Sequence, residues 1–457
     1  MPGDCDRQVQ TLSTAEVSEP LPDRLVFATD GGFPNEAHSR RVLRFESIAV
    51  GVVNAAYQFV AVLVTRLGGS PLEIALLTAM PYAGAVFLAI PVGHHLQSKP
   101  GVVRWYSRSR LLTSLPYGAT AIAVQAPAPW TITAILVVWA FYSVPGVVTS
   151  VTLPMIMDGL AGPRGRLALM GLRWSTQVLV TGISVLVIGQ ILSITSFPLG
   201  YQIVLAFATV AGMIGAWLAS NYQIPPPKIA ESIEDGPRWD AVLRSTWHAV
   251  DFRRFLLCEL VYLGGVRLAI PLVPIYFVRV LGATDASIGL IATMQAFAQM
   301  AGYLIWPRAS AKWGIWVVPM VVLPVAAAYP ALLAQSERLE VVAILATLAA
   351  LFTAGVDLVL FDQMLRTAPS HGRAAFVAVH VTVGNATQIL APLIGAAIAS
   401  ASDVDLALQA ASLMAFLGAG LFVVHLRRIG VQPSGMPASQ PMELEPANDA
   451  SDPASAT

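Results

Sequence analysis

Gly69-Ser-Pro-Leu-Glu-Ile-Ala-Leu-Leu-Thr-Ala-Met80 reappears, loosened, as Gly282-Ala-Thr-Asp-Ala-Ser-Ile-Gly-Leu-Ile-Ala-Thr-Met294. Each copy opens an apolar run of about 20 residues, the length that crosses a bilayer as a helix. A second pattern recurs with the first. Asp158 precedes Pro163-Arg164-Gly165-Arg166, and Asp362 precedes Arg366 and His371-Gly372-Arg373. Features that repeat in step mark a duplicated unit. The long polar stretch 222–253, midway along the chain, separates the two copies.

Composition agrees with a membrane setting. Of 457 residues, 56% are hydrophobic and 12% are charged, against about 25% charged in soluble domains. That excludes an ordinary soluble enzyme, a disordered protein and a nucleic-acid binder. Lys+Arg and Asp+Glu both number 27, so no global field draws charged partners. The 35 Gly and 32 Pro suit membrane helices, where neighbours re-satisfy freed backbone groups. Cys5 and Cys258 lie in a polar tail and an apolar run, which argues against a disulfide framework or a cysteine-based metal site.

The expected fold is all-α and integral to the membrane, with twelve spans: 43–65, 73–93, 111–128, 131–157, 174–196, 201–221, 254–278, 286–306, 315–334, 341–365, 374–399 and 405–426. They divide into an N-terminal six-helix bundle (40–221) and a C-terminal one (254–428), with polar, disordered cytoplasmic tails at 1–39 and 429–457. No signal peptide is apparent, so the first span is expected to direct insertion. Ile224-Pro-Pro-Pro227 stiffens the start of the central loop. Trp239, Val242, Leu243 and Trp247 then fall on one face of a short amphipathic helix. Setting Arg7, Arg24 and Arg267 aside from the 27 Lys and Arg leaves 24. Three of these, Arg66, Arg279 and Arg338, lie on one side and 21 on the other. The positive-inside rule then puts both termini in the cytoplasm of a cell-membrane protein.

This organisation resembles the major facilitator superfamily of transporters, over residues 43–426. The likeness rests on twelve spans, duplicated halves, a central loop and inside termini. The family's loop motif between spans 2 and 3, Gly-x-x-x-Asp-Arg-x-Gly-Arg-Arg, corresponds here to Gly93-His-His-Leu-Gln-Ser-Lys-Pro100, with Gln97 in place of the acid. The second-half copy, Pro307-Arg-Ala-Ser-Ala-Lys-Trp-Gly314, also lacks the acid. The Gly-Pro pair of proton antiporters is absent from span 5, where Gly182 and Gly189 stand alone. The resemblance implies two pseudo-symmetric bundles rocking about a midplane site, with spans 1, 4, 7 and 10 lining the cavity.

Charges inside spans cost about 2.5–3.5 kcal/mol each on insertion scales, so each needs a reason. Arg267 lies near the middle of span 7 and Asp357 in span 10 at a reachable height, and we expect them to form one coupled unit for substrate or proton. Glu259, eight positions before Arg267 on the same face, is a second carboxylate able to hold a proton, or else a headgroup contact. Glu46, nearer the interface, reads as a headgroup contact first. Asn54, Tyr57 and Gln58 share a face of span 1 and are candidate substrate contacts. Gln295, Gln299 and Tyr303 on span 8, and His380, Asn385 and Gln388 on span 11, are candidates for substrate contact or for interhelical hydrogen bonding. His380 alone reads as a packing residue ahead of a proton relay. Asp158 with Arg166, and Asp362 with Arg373, are the expected cytoplasmic gate, the alternative being arginines that only mark topology.

No P-loop, Gly-x-Ser-x-Gly or His-Glu-x-x-His motif is present, and His94-His95 lacks nearby acids. The expectation is therefore not an enzyme but a secondary transporter of a small, partly hydrophobic organic solute. It uses no cofactor or metal, couples to protons, runs in the direction of export before uptake, and works as a monomer among membrane lipids without nucleic acid. The alternative is a non-transporting protein of the same fold, a sensor or a lipid scramblase.

Overall fold

The computed structural model describes residues 36–97, 101–224, 246–313, 317–368 and 373–429. Its elements are helical: α1 (Glu36–Arg66), α2 (Pro71–Gln97), α3 (Val102–Ala123), α4 (Ala128–Ile194), α5 (Leu199–Ala219), α6 (Val250–Leu268), α7 (Leu272–Ile275), α8 (Asp285–Trp313), α9 (Val317–Ala334), α10 (Leu339–Thr367), α11 (Arg373–Ala401) and α12 (Val404–Ile429). A π-helical turn, Tyr276–Val280, continues α7. Among the described residues ten stretches are long and apolar enough to cross a membrane, two of them, Pro129–Met157 and Leu172–Ile194, within α4. One more, Val250–Val280, joins α6, α7 and the π turn. α2 (27 residues) and α3 (22 residues) are long enough to cross as well, and with them the described helices are consistent with the twelve spans expected.

Two helices begin earlier than hydropathy suggests: α1 at Glu36 rather than 43, and α3 at Val102 rather than 111. A hydropathy window stops at charged residues, whereas helical hydrogen bonding does not. The extra turns carry Arg104, Arg108 and Arg110, and Arg110 turns into the interior of its own half (below). Of the amphipathic segment expected at 239–247, residues up to 245 lie outside the described residues, as do 1–35 and 430–457 of the expected tails; residues 36–39, expected to be disordered, are instead the first turn of α1, with Ser39 buried. Trp247 is described; it is exposed, and the Arg253 guanidinium sits 4.9 Å from its ring centroid.

Buried side chains fall into three cores, and their placement fixes the state of the molecule. Call the face bearing Glu36 and Ile429 the near face, and the opposite one the far face. At the far face one core runs through both halves, from Phe59, Leu63, Trp139 and Val185 to Leu272, Tyr276, Ile288 and Leu408. At the near face each half keeps its own core: Leu43, Tyr106 and Ile156 in one, Phe252, Phe255 and Phe422 in the other. The halves are thus fused at the far end and packed separately at the near end. Large apolar side chains such as Phe207, Trp217, Leu413 and Leu417 are exposed, as a lipid-facing surface requires.

Candidate functional site

A cavity of about 550 Å³ is built by the helices of the second half, and Gln58 of α1 reaches it from the first half. Its polar lining is Gln58 from α1, Arg267 from α6, Gln295 and Gln299 from α8, Asp357 from α10 and Gln388 from α11. Between them the wall is aliphatic, with Leu263, Val266, Ile270 and Val273 among its residues.

Arg267 and Asp357 share this wall, but they do not form the ion pair expected from their heights. Arg267 donates through Nη1 to the Gly384 carbonyl, 2.7 Å. Asp357 accepts from the Tyr303 hydroxyl at 2.7 Å, and that hydroxyl accepts from Gln299 Nε2 at 3.3 Å. Helix packing is the reason. α10 lies mainly against α8 and α9, while α6 lies mainly against α11 and α12, so each charge finds its partner on a different helix.

Glu259 is buried, and its Oε2 lies 2.8 Å from His380 Nδ1. The headgroup contact considered for it is therefore excluded. His380 is no lone packing residue: it carries this acid on one side and stacks on Phe255 at 6.0 Å. The face shared by Asn54, Tyr57 and Gln58 splits. Gln58 lines the cavity and Asn54 is exposed, while Tyr57 turns into its own half against Trp139, 5.1 Å between ring centroids.

Glu46 is also not at headgroup level. It is fully buried, ion-paired with Arg173, with Arg110 Nε at 3.6 Å. It accepts hydrogen bonds from Tyr106 (2.8 Å) and Tyr222 (3.2 Å). This cluster ties α1, α3, α4 and the end of α5 together. Sequence reasoning counted both arginines as near-face flank charges.

Among the described residues, charged side chains join the two halves at the far face. Arg66 at the end of α1 donates through Nε to Asp285 Oδ1, 2.9 Å, and through Nη2 to the Ala283 carbonyl, 3.0 Å. Tyr201 of α5 donates to the same carboxylate oxygen, 2.7 Å. Arg279, from the other half, reaches back to the carbonyls of Gly69 and Thr65. The repeat explains why Asp285 is free to do this. In the first copy Ser70 and Glu73 close a capping box on α2, Ser70 N–H to Glu73 Oε2 at 2.7 Å. In the second, Thr284 caps α8 through Ser287 N–H at 3.2 Å, and the neighbouring acid points to the other half. One signal was available: Arg66 and Arg279 are two of the three cations on the cation-poor side.

At the near face Asp362 pairs with Arg366 on its own helix, 2.7 Å, one turn away. The side chains of Asp158, Arg166 and Arg373, and the segment 93–100, lie outside those described.

Below the far-face pair, α4 and α8 approach closely at Gly189 and Gly289. A Cβ on Gly289 would lie 2.9 Å from the Val185 carbonyl oxygen and 3.1 Å from the Gly189 Cα. No side chain fits there unless the halves separate. Gly289→Leu is therefore expected to open the far end. A cysteine at Gln295 should then react with an impermeant thiol reagent from the far face about tenfold faster; an unchanged rate would mean the contact does not hold the far end shut.

No protein-family model and no curated protein matches the sequence. Solved structures do. A bacterial homologue of the human lysosomal transporter Spinster, inward-facing and unoccupied, superposes with a TM-score of 0.68 at 14% identity, covering 88% of this chain and 100% of that one. A point mutant of the nucleoside transporter NupG gives 0.66 at 12% identity, covering 86% and 100%. The xylose transporter XylE from E. coli, inward open, gives 0.62 at 12%, covering 84% and 94%. At such identities the likeness is one of fold.

Proposed function

We propose that this chain, which has the fold of the major facilitator superfamily, is a secondary transporter that moves a small organic solute by alternating access. The carrying observation is the polar cavity of the second half, which Gln58 of the first half completes, with one core shared by the halves above it and two separate cores below. A site that both halves build can be exposed to either face by rocking one half against the other. The charge count over the loops puts the near face in the cytoplasm, so the cavity is in its inward-open form.

Proton coupling is assigned to Glu259 with His380. The pair lies one turn from Tyr262 and Leu263 of the cavity wall, with Glu259 buried and His380 half-buried. Loss or gain of its proton therefore changes the field at the cavity. The aliphatic walls suit a solute with an apolar body, and export is the direction we assign. Gln58 and Asn54 supply contacts from the first half.

Proteoliposomes holding a pH-sensitive dye test this. A transported solute should move protons against an imposed gradient. Glu259→Gln keeps the shape but has no proton to release, and should cut gradient-driven flux by about tenfold or more. Counterflow, which moves no net proton, should survive. Flux that ignores the pH gradient would remove the coupling. Absence of saturable flux for every solute tried would leave a non-transporting sensor or scramblase.

A further inference from the structure

The cavity holds two opposite charges that do not neutralise each other. Arg267 and Asp357 both line it, and no ion pair joins them. Each has hydrogen-bonding capacity to spare. A guanidinium has five N–H donors, and the described bond of Arg267 uses one of its nitrogens, on the Gly384 carbonyl. A carboxylate has about four acceptor sites, and Asp357 is served by Tyr303 with Gln299 behind it. A further wall residue, Tyr329, has a buried hydroxyl without a partner. The other charge close by, Glu259, already has His380.

Resting on the transport reading above, we infer that the solute is a zwitterion with an apolar body, its carboxylate held by Arg267 and its ammonium by Asp357. Asp357 is exposed into the cavity and Arg267 half-buried, so a bound solute displaces their hydration, and the argument is one of charge balance. A solute with a single charge would neutralise one wall charge and leave the other facing an apolar body, with its hydration displaced. An uncharged solute would dehydrate both and neutralise neither. A zwitterion satisfies both and adds no net charge, so binding need not be accompanied by a proton or counter-ion. The glutamines at 58, 295, 299 and 388 present both donors and acceptors, which fits the same ends of such a molecule and does not select a sign. The aliphatic wall residues Leu263, Val266, Ile270 and Val273 are where the apolar body lies.

The test uses the purified full-length chain and three matched compounds on each of two skeletons, L-phenylalanine and L-leucyl-L-leucine. The compounds are the zwitterion, its methyl ester (cation only) and its N-acetyl form (anion only). Binding is read as the concentration dependence of the apparent melting temperature, because a ligand that binds the folded state raises it. At least one zwitterion should bind about tenfold or more tightly than both of its blocked forms. Arg267→Gln should erase the preference over the ester and Asp357→Asn the preference over the N-acetyl form. Arg267→Lys, which keeps the charge, should weaken binding of the zwitterion yet keep the order. A variant that melts like the wild type without ligand and keeps the full preference overturns the assignment of that residue. Blocked forms that bind as well as the zwitterions, or a panel in which no zwitterion binds, overturn the inference. Both outcomes leave the transport reading standing if saturable flux of another solute is found in proteoliposomes, and that reading falls by itself if none is.

Discussion

Glu46→Gln is expected to cost about 3–5 kcal/mol, the usual penalty for stranding a buried charge. In the native cluster one carboxylate faces two guanidinium groups, Arg173 and Arg110, and two tyrosine hydroxyls. Removing the carboxylate charge leaves two cations close together where water cannot reach. Arg173→Gln should be milder, because Glu46 keeps Arg110 and both hydroxyls. The order is the diagnostic part: the apparent melting temperature in detergent should fall further for Glu46→Gln than for Arg173→Gln. The reverse order, or equal small losses, would mean that Glu46 is solvated rather than enclosed. The effect belongs to folding of one half, so it should appear as loss of yield and not as altered selectivity.

Asp285→Asn should act on the balance between states instead. The carboxylate accepts from Arg66 and Tyr201 across the boundary of the halves, and its side chain is 11% exposed against 25% for Arg66. In a far-open state these contacts must break, so only the far-closed state is stabilised by them, and a ligand or mutation shifts an equilibrium solely through such a difference. Each 1.4 kcal/mol removed from the closed state raises the far-open population about tenfold. A cysteine at Gln295, in a background lacking Cys5 and Cys258, should then react from the far face about tenfold faster or more. Exchanging the partners, Arg66→Asp with Asp285→Arg, should restore the slow rate. No acceleration in Asp285→Asn, or no rescue in the exchange, would reduce the pair to a surface decoration.

The spans were legible because the bilayer imposes its own thickness on composition. A helix that crosses it cannot hide a charge cheaply, so runs of about 20 apolar residues stand out. Which residues face the cavity was partly legible for the same reason: Arg267, Asp357 and Gln58 are costly in lipid. Their partners were not. Arg267 bonds to a backbone carbonyl, which any residue supplies. Glu46 and Arg173 are 127 positions apart, and Arg66 and Asp285 are 219 apart. Periodicity tells which side of a helix a residue occupies, but the neighbouring helix decides what it meets there. That is why Asp357 went with Tyr303 rather than Arg267, and why Glu259, weighed as a headgroup contact, closes on His380.

The π turn at Tyr276–Val280 carries a consequence of its own. Leu281 N–H donates to the Tyr276 carbonyl five residues back, at 3.0 Å, so the winding there holds one residue more than an α-helical turn. Arg279, which grips carbonyls of the other half, rides on that turn. If the extra residue is taken up, the thread advances by one step, which swings whatever follows by about 100°. The grip of one half on the other is then a matter of screw pitch as well as of charge.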